Sequence, residues 1–127
     1  MIFVDTNVFM YAVGRGHPLK EPARDFFRQA FHTDSARPCT SAEVLQELLH
    51  AYLPVSRVET LNAAFELIES AIDEIWSVEP HDVHLARESI EQFPALGARD
   101  LLHLASCRRR GVTSVQTYER TLEAAFG

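Results

Sequence analysis

The sequence predicts an α/β domain: a small central parallel sheet of about four strands, flanked by layers of amphipathic helices. Two observations predict it. Short apolar runs alternate with longer segments of helical period, the pattern of strands linked by crossover helices. The whole chain has 127 residues and no linker, repeat or low-complexity segment, so residues 1–127 are expected to form one domain with a single core.

Ile2-Phe3-Val4 reads as a buried strand that ends at Asp5, followed by a short helix through Tyr11. Gly14, Gly16 and Pro18 mark a loop. Ala23, Phe26, Phe27, Ala30 and Phe31 recur at helical spacing, with Pro22 suited to a first turn. A strand is expected near Arg37–Thr40, then a helix with Val44, Leu45, Leu48, Leu49 and Tyr52 on one side, stopped by Pro54. Val58, Leu61, Phe65, Ile68 and Ile72 make the next stripe. Ile75–Val78 reads as a strand, and Val83, Ala86, Ile90 and Phe93 as a helix ending at Pro94. A helix from about Ala98 to Arg110 is closed by Gly111, a last strand covers Val112–Thr117, and a short helix closes the chain.

The net charge of −6 removes the basic field expected of a passive nucleic-acid binder. It excludes less for an enzyme that recruits a divalent cation, because the ion reverses the local sign. Cys39 and Cys107 lack CxxC spacing and are read as reduced and buried, in a cytoplasmic protein. The apolar N-terminus is interrupted by Asp5 and Asn7, unlike a signal peptide, and no run approaches the ~18 apolar residues of a membrane span.

In open α/β sheets, ligands bind beyond the carboxyl ends of the strands. That rule points to Asp5, to Thr40–Glu47 and to the segment from Thr117 onward. Asp5 can face that crevice or cap the helix beginning near Thr6, and one carboxylate can do both. Glu43 and Glu47 share a helix face. Thr40-Ser41-Ala42-Glu43 matches a capping box, which would occupy Glu43 structurally and leave Glu47 as the preferred candidate. Asp100 suits the dipole of a first helical turn, yet Leu101, Leu102, Leu104 and Ala105 place it on a helix apolar enough to be central. Glu119 is a fourth acid or simply a helix-start residue. Carboxylates crowded near buried surface repel unless a cation joins them, and acids without zinc-spaced Cys or His suit Mg²⁺ or Mn²⁺.

Four segments carry a resemblance across essentially the whole chain: Ile2–Val8, Val44–Leu48, Ala98–Ala105 and Val115–Arg120. By their order and spacing the sequence resembles the PIN-domain family, and within it the VapC-type toxins. The resemblance implies Mg²⁺- or Mn²⁺-dependent ribonuclease activity. It implies Asp5 and Asp100 as principal metal ligands and Glu47 as third acid. Thr6 and Asn7 would support Asp5, and Thr117 would line the site. It also implies a cognate VapB-type antitoxin, an RNA substrate and a homodimer. Two features depart from the family pattern. Glu119 stands where Asp is more common, which weighs against a second metal position. The chain stops at Gly127, so the final strand of many relatives is expected to be missing and one sheet edge shorter or open.

Other features have plainer readings. His81 and His84 lack an HExxH context and are expected to be surface residues. His103 is expected to support the site rather than react. Arg108-Arg109-Arg110 suits a helix C-terminus better than RNA phosphates. Phe26, Phe27 and Phe31 read as core. Two alternatives to the ribonuclease stand at this point: a catalytically weakened PIN-like module acting through its partner, and a structure-specific DNA nuclease.

Overall fold

A computed structural model describes residues 1–32 and 37–127. Four strands and seven helices alternate along them: β1 (Ile2–Val4), α1 (Thr6–Val13), α2 (Lys20–His32), β2 (Pro38–Ser41), α3 (Ala42–Tyr52), α4 (Val58–Ala71), β3 (Glu74–Trp76), α5 (Pro80–Glu88), α6 (Ala98–Arg109), β4 (Ser114–Gln116) and α7 (Arg120–Phe126). The strands form one sheet in the order β3-β2-β1-β4, and every pairing is parallel. This is the expected α/β architecture.

β1 lies inside the sheet, with Phe3 and Val4 fully buried. Burial on both faces is why this strand reads as a continuous apolar run. β3 and β4 are the edges, each three residues long. Edges this short offer little template for pairing with another chain. The helices pack in two groups. Phe9, Phe27, Leu48 and Ile68 carry α1 to α4 into the larger core; Ala86, Leu104 and Leu122 join α5, α6 and α7 in a second cluster. Cys39 and Cys107 are free and buried, and burial pushes the Cys39 thiol up to about 12. Among the described residues no helix is long and apolar enough to cross a membrane.

Three local expectations are corrected. Thr40 does not cap α3. β2 continues to Ser41, which pairs with Trp76, and the Thr40 hydroxyl donates to the Val4 carbonyl at 3.0 Å. Ser41 is the N-cap and makes no side-chain cap bond, so the Thr40–Glu43 capping box does not form. Second, α5 stops at Glu88, leaving Val83 and Ile90 exposed. Third, the α4 stripe is rotated: Leu61, Ala64, Ile68 and Ala71 are buried and Val58 is exposed. Phe31 is likewise exposed, although Phe27 is buried against Phe9.

α5 is held by ion pairs as well as by the apolar contact of Ala86. Asp82 is fully buried, and its Oδ1 accepts from Arg109 Nε at 2.6 Å and Arg110 Nη1 at 3.0 Å. Its Oδ2 accepts the Glu79 amide at 2.8 Å. Arg110 also donates to the Ser77 carbonyl and lies over the Trp76 ring. The arginine run at the end of α6 therefore clamps α5 and β3 to α6. Gly111, at φ 71°, then turns the chain: its amide reaches the Arg108 carbonyl and the Val112 amide reaches the Cys107 carbonyl. This paired closure needs a left-handed residue.

Burial opposes ionisation of Asp82, but the bonds from Arg109, Arg110 and the Glu79 amide outweigh it and hold the carboxyl at about 2, below its ordinary 3.8. A depressed acid stabilises the fold above its unfolded value and loses that contribution as pH falls through the folded value. Urea titrations should therefore show the clamp's contribution intact above pH 4 and fading towards pH 2. Asp82→Asn should cost roughly 3 kcal/mol at neutral pH, since one partner of a buried pair is lost. It should also flatten the acid limb. A variant as stable as the parent would show that α5 is held by packing instead.

Candidate metal centre and catalytic cleft

Asp5 follows β1 directly and is buried. Its Oδ1 accepts the Thr6 amide at 2.8 Å, capping α1, and its Oδ2 accepts the Thr117 hydroxyl at 2.7 Å. The Asp5 amide donates to the Gln116 carbonyl, continuing the pairing of β1 with β4. Thr117 is thus delivered to Asp5 by strand register. Its Oγ1 in turn accepts the Glu119 amide at 3.0 Å and Asn7 Nδ2 at 3.4 Å, while Asn7 Oδ1 accepts the Tyr118 amide at 3.3 Å. Thr6 supports Asp5 through its amide, and Asn7 acts through Thr117.

Glu47 sits in the second turn of α3 with its side chain 14% exposed, and Oε1 contacts His103 Nε2. The same imidazole nitrogen lies 3.7 Å from Asp5 Oδ1. Asp5, Glu47 and His103 each offer a ligand atom within 4.8 Å of the other two. His103 is three residues after Asp100 on α6, so both face the same side of that helix. Burial disfavours the imidazolium, yet the hydrogen bond to Glu47 and the charges of Glu47, Asp5 and Asp100 raise its pKa. His103 therefore sits inside the acidic cluster, in contact with Glu47 and close to Asp5.

Asp100 lies outside that tight trio but lines the same cleft, of about 630 Å³. Its pKa is raised, first by burial and then by the charge of Asp5, with smaller contributions from Glu47 and Glu119; His103 acts in the opposite sense. Glu119 also lines the cleft. It is exposed, and it is the N-cap of α7 with no side-chain cap bond, so its carboxylate is not used up by the helix. All four acids named from the sequence are brought to one cavity. Glu43 is not among its lining residues, and exposed His81 and His84 lie on α5, away from it. Sequence reasoning missed Arg99 and His50, both at the cleft wall. Arg99 is exposed in the first turn of α6 and has no ion-pair partner among the described residues. Its position beside Asp100 was the available signal.

The donor set fits a hard divalent cation. It is rich in carboxylate oxygen, and Thr6 Oγ1 is a buried oxygen without a hydrogen-bond partner among the described residues.

The PIN domain family model matches residues 2–125. Ribonuclease VapC23 of Mycobacterium tuberculosis is 58% identical over 127 residues, covering 99% of this chain and 98% of that protein. Ribonuclease VapC13 of the same organism is 36% identical, covering 100% of this chain and 96% of its own. The crystal structure of M. tuberculosis VapC20, described as a sarcin-ricin loop cleaving toxin, aligns with a TM-score of 0.76 at 18% identity. That alignment covers 98% of this chain and 95% of the other.

Thr117 gives a test of how the site is held. Thr117→Val keeps the shape and removes the donor to Asp5, at a cost of about 1–3 kcal/mol in stability. Because Thr117 orients Asp5, a candidate ligand, Mn²⁺ affinity by calorimetry should fall about 10–100-fold, and Thr117→Ser should restore most of it. Unchanged affinity in the valine variant would show that Asp5 is positioned without Thr117.

Proposed function

This chain belongs to the PIN-domain family, to the VapC-type toxins within it, and on that premise we propose that it is a divalent-metal-dependent endoribonuclease, the toxin of a VapBC-type pair. The observation that carries the reading is Asp5, a buried carboxylate pinned by two donors and facing a cleft with three further acids. Asp5 and Asp100 would hold Mg²⁺, with Mn²⁺ as substitute; Glu47 is the third acid and Glu119 the fourth, at the rim. When bound, such an ion supplies water activation and charge neutralisation at a phosphodiester. The chain's own residues do the rest. Thr6 and Thr117 keep Asp5 from rotating. His103 fixes one oxygen of Glu47 and leaves the other to orient the attacking water. Arg99 and His50 offer donors to phosphate oxygens at the cleft wall, which an acidic protein needs locally.

Two surfaces support the proposed partners. Leu49, Leu53, Val55 and Val58 are exposed along the end of α3 and the start of α4, an apolar patch suited to a homodimer contact. A groove of about 250 Å³ beside α2 combines Phe27, Phe31 and Leu67 with Arg24 and Arg28. It suits an amphipathic helix of acidic character from a VapB-type antitoxin. The reading places the protein in the cytoplasm. The convergence of four carboxylates favours catalysis over a binding module that acts only through its partner.

Purified protein should cut single-stranded RNA with Mg²⁺ or Mn²⁺, stop with EDTA, and spare flap DNA of the same length. Asp5→Asn and Asp100→Asn should each lower kcat/KM at least about 100-fold. Thermal melts separate lost chemistry from lost fold. An acid with a raised folded pKa contributes stability below its unfolded value and loses it as pH rises, so at neutral pH the Asp100 charge opposes folding. In EDTA, Asp100→Asn should melt at or above the parent, and Mn²⁺ should raise the Tm of the parent alone. Full cleavage by Asp100→Asn would assign the activity to another protein.

A further inference from the structure

An aromatic ladder runs behind the cleft wall formed by Asn7. It begins at Tyr118, between Thr117 and Glu119, whose amide is bonded to Asn7 in the cleft wall. The Tyr118 ring meets Tyr11 edge-to-face, with centroids 5.6 Å apart. Tyr11 is one turn beyond Asn7 on α1, on the same face. The imidazole of His17 then covers Tyr11, with centroids 4.6 Å apart and the planes 36° from parallel.

His17 is exposed, yet its ring is not free to turn. Its Nδ1 accepts the Leu19 amide at 3.0 Å, and Lys20 Nζ ties the start of the loop to the Gly14 carbonyl at 2.7 Å. An exposed ring with a fixed plane, backed by two more rings and linked through Tyr118 and Asn7 to the wall of the cleft, is a preorganised stacking platform.

We infer that the outer face of His17 is a subsite for one unpaired RNA base flanking the scissile phosphate. The inference rests on the ribonuclease reading. A chain of net charge −6 has no general basic field to hold RNA beyond the cleft, so affinity there must come from local contacts. Stacking supplies one, because every base presents a π face. Arg15, two residues before His17, is exposed and has no ion-pair partner among the described residues, so it is free to meet the neighbouring phosphate. A histidine that only sealed the end of α1 would have no reason to respond to a base at a particular position.

The test is an abasic scan of a cleaved single-stranded RNA with the parent, His17→Ala and His17→Phe. Removing one base should raise KM of the parent about 5–100-fold at a single position near the cut, with kcat little changed. His17→Ala should raise KM to the same extent on intact RNA and show no further loss at that abasic position. His17→Phe keeps a stacking ring but loses the Leu19 bond, so it should recover most of the KM and keep the position-specific abasic effect. Two results would overturn the subsite: no position-specific effect with the parent, which requires no variant to fold, or a His17→Ala defect that persists at every abasic position. A parent that cuts RNA without a position effect removes this inference alone. A parent that cuts no RNA removes the ribonuclease reading and the subsite with it.

Discussion

Asp5 is held by donors from opposite ends of the chain, the Thr6 amide beside it and the Thr117 hydroxyl 112 residues away. The second bond depends on β1 pairing with β4, where Val4 stands opposite Gln116. A one-residue slip in a strand turns every side chain to the other face. Strand register, capping of α1 and orientation of the central carboxylate are thus one constraint. The buried Phe3 and Val4 enforce that register.

The protein treats its buried acids in two opposite ways. Asp82 is surrounded by cationic donors, which lower its pKa and make it a clamp. Asp100 has its pKa raised, first by burial and then by the carboxylates that share its cleft. The first arrangement stabilises the fold; the second costs stability in the absence of a cation. Strain of that kind persists only where the surrounding structure over-determines it, and it gathers at functional sites. The clamp lies on α5 and the end of α6, and the cleft at the start of α6, so one helix joins both.

Most helices and β1 were legible from their apolar spacing. The strand expected as buried over Ile75–Val78 runs instead over Glu74–Trp76 with Ile75 exposed, and the last strand is only Ser114–Gln116, because so short an edge strand carries little apolar pattern. Asp5 and Asp100 were legible from their places at a strand end and in a first helical turn. Glu47 was preferred for a reason that fails: the Thr40–Glu43 capping box does not form, because β2 claims Thr40. What separates Glu47 from Glu43 is the helical rotation that points it at His103. The α5 stripe was misread for a related reason, since an ion pair to a residue 27 positions away leaves no periodic trace. The arginine run pointed to a helix end, and its partner Asp82 was hidden between two more conspicuous histidines. The setting of His103 was illegible too, because the carboxylates that raise its pKa against burial come from three separate elements.

The order of residues along α6 explains how so short a chain builds both a core and a site. Its first turn presents Asp100, and the next turn places His103 against Glu47 and Asp5. Leu101, Leu104 and Ala105 bury the remaining surface against α5 and α7, so the polar residues cannot rotate away from the cleft. At its far end Arg109 and Arg110 grip Asp82, and Gly111 reverses the chain into β4. Four residues of strand and exit then deliver Thr117 to Asp5. An error in the closing turn at Gly111 would therefore reach the acidic cleft, although that glycine lies at the opposite end of the helix from Asp100. The site depends on distant backbone geometry because its central carboxylate is oriented by the strand that this turn sets in place.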